Sequence, residues 1–128
     1  TLDGFACKAR LDIIPRAGGL ADLKTTNDAS QRGFERAAWE SGYHIQAAWY
    51  LDGFEAVAEE RRGFAFVAYE KGPGIVSVYH ATPEFIAAGR RDYQRALEVY
   101  RRCVESGEWP GYAPEGELDV PHYEKGKL

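Results

Sequence analysis

Phe64-Ala65-Phe66-Val67-Ala68-Tyr69-Glu70 and Ile75-Val76-Ser77-Val78-Tyr79-His80 are aromatic and β-branched runs separated only by Lys71-Gly72-Pro73-Gly74. A connection that short, with two glycines around a proline, predicts a hairpin. A lone hairpin is marginal in water and must join another strand or pack on a helix. The chain supplies the helix at once. Thr82 reads as its N-cap, Pro83 as its first residue, Glu84 as an acid suited to the positive end of the dipole, and Gly107 as the C′ residue. Phe85, Ala88, Ala96, Leu97, Tyr100 and Val104 form its apolar stripe. Everything upstream must complete a sheet that carries this long helix.

Two further strand-like runs come first, one over 4–14 ended by Pro15 and one over 20–25, joined by a turn at Arg16-Ala17-Gly18-Gly19. Asp28 then reads as an N-cap with Gln31 as its capping-box partner. The helix that follows carries Phe34, Ala37 and Ala38 and breaks at Gly42. A second helix starts at Tyr43 and either stops at Asp52-Gly53 or continues to about Glu59. The order β-β-α-α-β-β-α predicts a mixed sheet with helices, of the α/β or α+β kind.

With 128 residues, 45% of them hydrophobic and 28% charged, the chain reads as one globular domain over 1–128. Residues 113–128, within a proline-rich stretch that begins at Trp109, read as an extended tail. No apolar run is long enough to span a bilayer, and no membrane partner is expected. The net charge of −4 gives no support to general nucleic-acid affinity, although a local basic groove is compatible with it. Cys7 and Cys103 fit a reducing cytoplasm as ordinary buried apolar residues, and zinc or iron–sulfur sites would need more cysteine and histidine. The absence of methionine and the start at Thr1 suggest a domain excised from something longer.

The chemistry concentrates in Ala21-Asp22-Leu23-Lys24-Thr25-Thr26. In a strand, residues i and i+2 share a face, so Asp22 and Lys24 project together while Leu23 is expected buried on the other side. An Asp and a Lys so placed are usually a solvated pair of little consequence. Asp12 changes the weighting, because an acid between Leu11 and Ile13-Ile14 wants a reason. If the two runs form a hairpin, Asp12, Asp22 and Lys24 converge. Hard oxygen donors at adjacent strand positions suit Mg²⁺. Asp12 and Asp22 would hold the metal, the Leu23 carbonyl would lend another oxygen, and Lys24 would orient water or offset charge. Gln46 and Tyr50, four apart, share one helix face, where they either line a site or simply pack on the sheet.

Lys8-Ala9-Arg10-Leu11-Asp12, Ala21-Asp22-Leu23-Lys24-Thr25-Thr26 and Gly42-Tyr43-His44-Ile45-Gln46-Ala47-Ala48-Trp49-Tyr50 together resemble the RecE/RecB-like branch of the PD-(D/E)xK nuclease superfamily. The likeness continues through Phe66–Pro73 and Cys103–Tyr112. It implies a restriction-endonuclease-like core: a meander-type central sheet flanked by helices. It implies a Mg²⁺- or Mn²⁺-dependent exonuclease acting on double-stranded DNA ends in phage or prophage recombination or repair, in the cytoplasm of a bacterial or phage-infected cell. Asp12 and Asp22 match the metal-binding acids, Leu23 the carbonyl position, Lys24 the catalytic lysine, and Gln46 with Tyr50 the Q-x-x-x-Y motif. A single-strand annealing protein and further copies of the chain are the partners such enzymes imply. The leading helix of the pattern, which brings another acid or histidine to the metal, has no counterpart before Thr1.

Other residues read more plainly. Thr25 and Thr26 either contact DNA phosphate or begin a turn. His44 reads as a core or surface residue rather than a ligand. Arg90, Arg91, Arg95, Arg101 and Arg102 on the last helix read as a solvated, ion-paired face before a DNA-tracking one. The alternative in another functional class is a non-catalytic DNA-end or protein-interaction module that keeps the nuclease fold.

Overall fold

The computed structural model describes residues 4–121 and Lys125. β1 (Leu20–Thr26) leads into α1 (Gln31–Glu40) and α2 (Tyr43–Ala58). The hairpin of β2 (Phe64–Glu70) and β3 (Val76–His80) follows, and α3 (Pro83–Ser106) completes the order. The three strands form one sheet in the order β1-β2-β3. β1 and β2 are parallel, with Asp22 opposite Phe66 and Lys24 opposite Ala68. β2 and β3 are antiparallel, with Phe66 opposite Tyr79. This is a mixed sheet flanked by helices, consistent with a restriction-endonuclease-like core. Because β1 and β2 are parallel, their connection must cross over, and α1 and α2 make that crossover in place of a meander step.

The marked ends of α3 form as expected. The Thr82 hydroxyl accepts from Phe85 N at 3.1 Å, and Gly107 ends the helix at φ 71°. The core lies between the sheet and the helices, where Leu20, Phe64, Phe66 and Ala68 meet Phe34, Ala47, Ala48 and Ile86. α3 approaches α2 at Gly89, where a Cβ would stand 1.9 Å from the His44 carbonyl oxygen. The opposite face of the sheet carries the exposed side chains of Leu23, Tyr69, Val76 and Val78. Among the described residues no helix is long and apolar enough to cross a membrane.

Five expectations are corrected. The run over 4–14 is not a strand: Ile13 bridges Ala21 in antiparallel fashion, but no ladder continues from it. Past that bridge the Asp12 carboxylate, rather than a backbone carbonyl, takes Leu23 N. Lys8 O accepts from the Trp49 indole at 3.1 Å, which ties the segment to α2. Leu23 is 54% exposed, not buried, because the helices cover only the Asp22 side of the sheet. The N-cap of α1 is Ser30, whose hydroxyl accepts from Gly33 N, while Asp28 accepts from Ser30 N two residues too early to cap. The stripe of α3 differs from the expected one: Ala96, Tyr100 and Val104 are exposed, and Ile86, Gly89, Tyr93 and Cys103 are buried beside Ala88. Finally, Cys7 is exposed, and only Cys103 is the buried thiol expected of both. Of the two ends open to the second helix, the longer is adopted, with Glu59 left-handed after Ala58. Residues 109–121 form no helix or strand; the rest of the expected tail, apart from Lys125, lies outside the described residues.

Candidate active site

The site grows from the outer edge of β1. Ala21 gives both its N–H and its carbonyl to Ile13, at 3.1 Å each. In a strand the N–H and carbonyl of one residue point to the same side, and residues two apart repeat it. Leu23 therefore presents both groups to that edge, where its N–H donates to Asp12 Oδ2 at 3.2 Å. The Leu23 carbonyl lies on the Asp12 side, as a metal-lending oxygen would need, even though its side chain points to water.

Asp22 projects to the covered face and is 2% exposed. Lys24 Nζ lies 2.6 Å from its Oδ2. That contact is an ion pair by distance without hydrogen-bond alignment, so Oδ2 is buried with no hydrogen-bond partner. Burial pushes the Asp22 carboxyl above the usual carboxylate range. Lys24 draws it down, and the adjacent Asp12 pushes it up again. Asp12, Asp22 and Lys24 thus do converge, by one bridge and one side-chain hydrogen bond rather than by a hairpin ladder.

α2 runs antiparallel to β1 over this face. Its first residue, Tyr43, lies over Lys24, with Nζ 4.4 Å from the ring centroid. Tyr50, two turns on, packs by Phe64, the register partner of Leu20, with ring centroids 6.4 Å apart. Gln46, between them along the helix, donates to Tyr50 Oη at 3.2 Å. The two motif residues are therefore bonded to one another along the strand that bears Asp22 and Lys24. Tyr43 is the neighbour that sequence reasoning missed. Its spacing from Gln46 and Tyr50, i, i+3 and i+7 on one helix face, was the available signal.

Thr25 is exposed and lies on the open face with Leu23, away from Asp22 and Lys24. Thr26 spends its hydroxyl in a turn, accepting from Asp28 N and donating to Asp28 O. His44 is buried, 3.0 Å from Asp92 through Nε2 and stacked on Trp39 at 4.2 Å between ring centroids. It supports the helix packing and is not drawn into the site. On α3, Arg90, Arg95, Arg101 and Arg102 each pair with an acid. A cavity of about 540 Å³ lined by Asp52, Glu55, Arg61, Arg62 and Arg90 lies at the far end of α2. Each of its three guanidiniums already holds a carboxylate.

Among the described residues no group of three His, Cys, Asp or Glu side chains could hold a metal ion. The donors that do meet, two carboxylates and a backbone carbonyl, are hard oxygens suited to a divalent cation that keeps part of its water shell. The two carboxylates are offset by one ammonium, Lys24 Nζ at 2.6 Å from Asp22 Oδ2, which leaves a formal negative charge for such an ion to balance, so the donor set fits.

The family described as a PDDEXK-like domain of unknown function (DUF3799) matches residues 1–119. Among solved structures, the chain is similar to a protein from Eubacterium rectale whose name provisionally assigns it to the exonucleases. The TM-score is 0.61 at 15% sequence identity, over 91% of this chain and 50% of that one, so the chain spans half the length of that structure. At this identity the likeness concerns the fold. No curated protein matches significantly in sequence.

Proposed function

The chain belongs to the family of PDDEXK-like domains of unknown function (DUF3799), and on that premise we propose that it is a metal-dependent nuclease domain acting on double-stranded DNA ends. One observation carries the proposal: the buried Asp22 carboxylate on β1 is brought beside Asp12 and the Lys24 ammonium, which lies 2.6 Å from its Oδ2. A buried carboxylate whose pKa is raised by burial, set beside a second acid and a cation, is the kind of group that clusters at functional sites. The name of the Eubacterium rectale protein supports the exonuclease class. The motif resemblance supports the RecE/RecB-like branch.

In this reading Asp12, Asp22 and the Leu23 carbonyl hold Mg²⁺ or Mn²⁺. When bound, the ion supplies charge stabilisation to the scissile phosphate and acidifies its water. The chain's own residues do the rest. Lys24 carries a compact positive charge and three donors to the atoms around Asp22, where it orients the attacking water or meets developing charge on a phosphate oxygen. The Gln46–Tyr50 hydrogen bond fixes both side chains and leaves the Tyr50 hydroxyl hydrogen and Gln46 Oε1 for substrate or water. A single-strand annealing protein and a homo-oligomer around DNA are the partners this reading implies.

The test is digestion of a linear duplex with Mg²⁺ or Mn²⁺ by the full chain and its variants. Asp22→Ala and Lys24→Ala are each expected to lower the rate by about a hundredfold or more while the protein stays folded by circular dichroism. Variants as active as the parent would falsify the assignment. A covalently closed plasmid left intact supports an end-dependent enzyme. Absence of metal-stimulated digestion, with duplex ends still bound, supports a non-catalytic DNA-end module instead.

A further inference from the structure

We infer that Tyr43 is a positioning residue for Lys24, an inference that rests on reading Lys24 as the catalytic lysine. A lysine side chain is long and flexible, and an ammonium placed for chemistry needs to be held. In β1 Lys24 has two neighbours of consequence. Asp22 Oδ2 lies 2.6 Å from Nζ, and the Tyr43 ring lies beneath it, its centroid 4.4 Å away. That distance is within the range over which a cation is attracted to an aromatic face, and the site is nearly closed to water, with the Lys24 side chain 17% exposed. Asp22 is also the carboxylate proposed to hold the metal, so it cannot be the only anchor of the lysine. An aromatic face anchors the ammonium without neutralising it and without adding a second carboxylate to compete for the cation.

The ring is itself fixed. Tyr43 stacks on Phe66 with centroids 5.7 Å apart and an interplanar angle of 28°, and it meets Phe34 at 6.3 Å. Phe66 is buried and stands opposite Asp22 across the β1–β2 register, so one pair of strands sets both anchors of Lys24. Gly42, at φ 71°, makes the left-handed turn that places Tyr43 at the first position of α2. The contact with Lys24 is made by the face of the ring.

The first experiment needs no variant. In the full chain with ¹³C-labelled lysine, the ε-methylene signals of Lys24, assigned by their loss in Lys24→Arg, are expected upfield of the other lysines through the ring current of Tyr43. An unshifted signal overturns the inference, whatever the protein's activity. The second experiment compares Tyr43→Leu, which keeps an apolar side chain, with Tyr43→Phe, which keeps the ring. For Tyr43→Leu, kcat on a linear duplex is expected to fall about tenfold with KM little changed, since only the placement of a charge is lost. Tyr43→Phe is expected to restore both the rate and the upfield signal. A folded Tyr43→Leu with the parent's kcat, or a Tyr43→Phe as slow as Tyr43→Leu, overturns the inference. Failure of the nuclease reading looks different: parent and Lys24→Arg alike do not digest DNA, and the ring-current measurement alone then decides whether Tyr43 holds Lys24.

Discussion

Asp22 and Asp52 are both shielded carboxylates facing a cation, and they are treated oppositely. Asp52 links α2 to α3. It accepts from Arg90 Nε at 2.8 Å, from Arg90 Nη2 through its other oxygen, and from the Tyr93 hydroxyl. Burial alone would raise its pKa and is the largest single influence, but the Arg90 and Tyr93 hydrogen bonds and the charge of Arg90 outweigh it and hold Asp52 below the usual carboxylate range. Asp22 faces a lysine, whose single point charge lies 2.6 Å from one of its two oxygens. The guanidinium fork fills both oxygens of Asp52, so that site is a lock. The ammonium meets Asp22 at one oxygen and does not outweigh its burial, so the Asp22 carboxyl stays raised.

Four expected outcomes would break or sharpen this contrast. The largest concerns chemistry: Asp22→Asn is expected to lower nuclease activity about a hundredfold or more, and Asp52→Asn only in proportion to the protein it unfolds, measured on a linear duplex with divalent metal. The next concerns the α2–α3 contact that Asp52 locks. Gly89→Ala would press a methyl group into the His44 carbonyl, and urea unfolding is expected to show a loss of about 3 kcal/mol or more. Asp52→Ala comes third, at about 1–3 kcal/mol in the same measurement, because Arg90 keeps partial access to water.

The smallest effect is the most telling, because its sign differs between the two acids. Asp52 has a depressed pKa, so its stabilisation is present above its unfolded value near 3.8 and is lost as pH falls through the folded value. Asp22 has a raised pKa, so its cost is absent below 3.8, grows as pH rises to the folded value, and stays constant above it. At pH 7, Asp52→Asn is expected to lower Tm, and Asp22→Asn to raise it or leave it unchanged. Both differences should shrink as melting is repeated toward pH 3. A lowered Tm for Asp22→Asn at pH 7 would show that Asp22 is a structural acid after all.

Much of this molecule was legible because its signals are local. Thr82-Pro83 and Gly107 delimit α3 by groups that bond within one turn, and Lys71-Gly72-Pro73-Gly74 closes the hairpin through its own backbone. Asp22 and Lys24 of the candidate site were also legible, since strand alternation alone puts them on one face, whereas Asp12 arrives from a run that is not a strand. Other features depend on partners far along the chain. Ser30 rather than Asp28 caps α1 because Ala29 is held from a distance, its N–H by Glu70 at 2.7 Å and its carbonyl by the Tyr79 hydroxyl at 2.5 Å. Nothing near residue 28 reports those bonds.

The division follows the range of the forces. Sequence alone determined the hairpin, the capped helix, and the residue types that meet at β1, because periodicity, capping and turn chemistry act within a few residues. Tertiary structure decided which face of the sheet the helices cover, and with it that Leu23 looks to water while Asp22 is buried. It decided that the 4–14 run stops at one bridge, because the Asp12 side chain takes the Leu23 N–H that a ladder would have used. It also decided that Tyr43 lies under Lys24, a meeting set by the turn at Gly42 and the aromatic stack on Phe66. Burial and long-range contact are properties of the packed chain, and no stretch of residues carries them by itself.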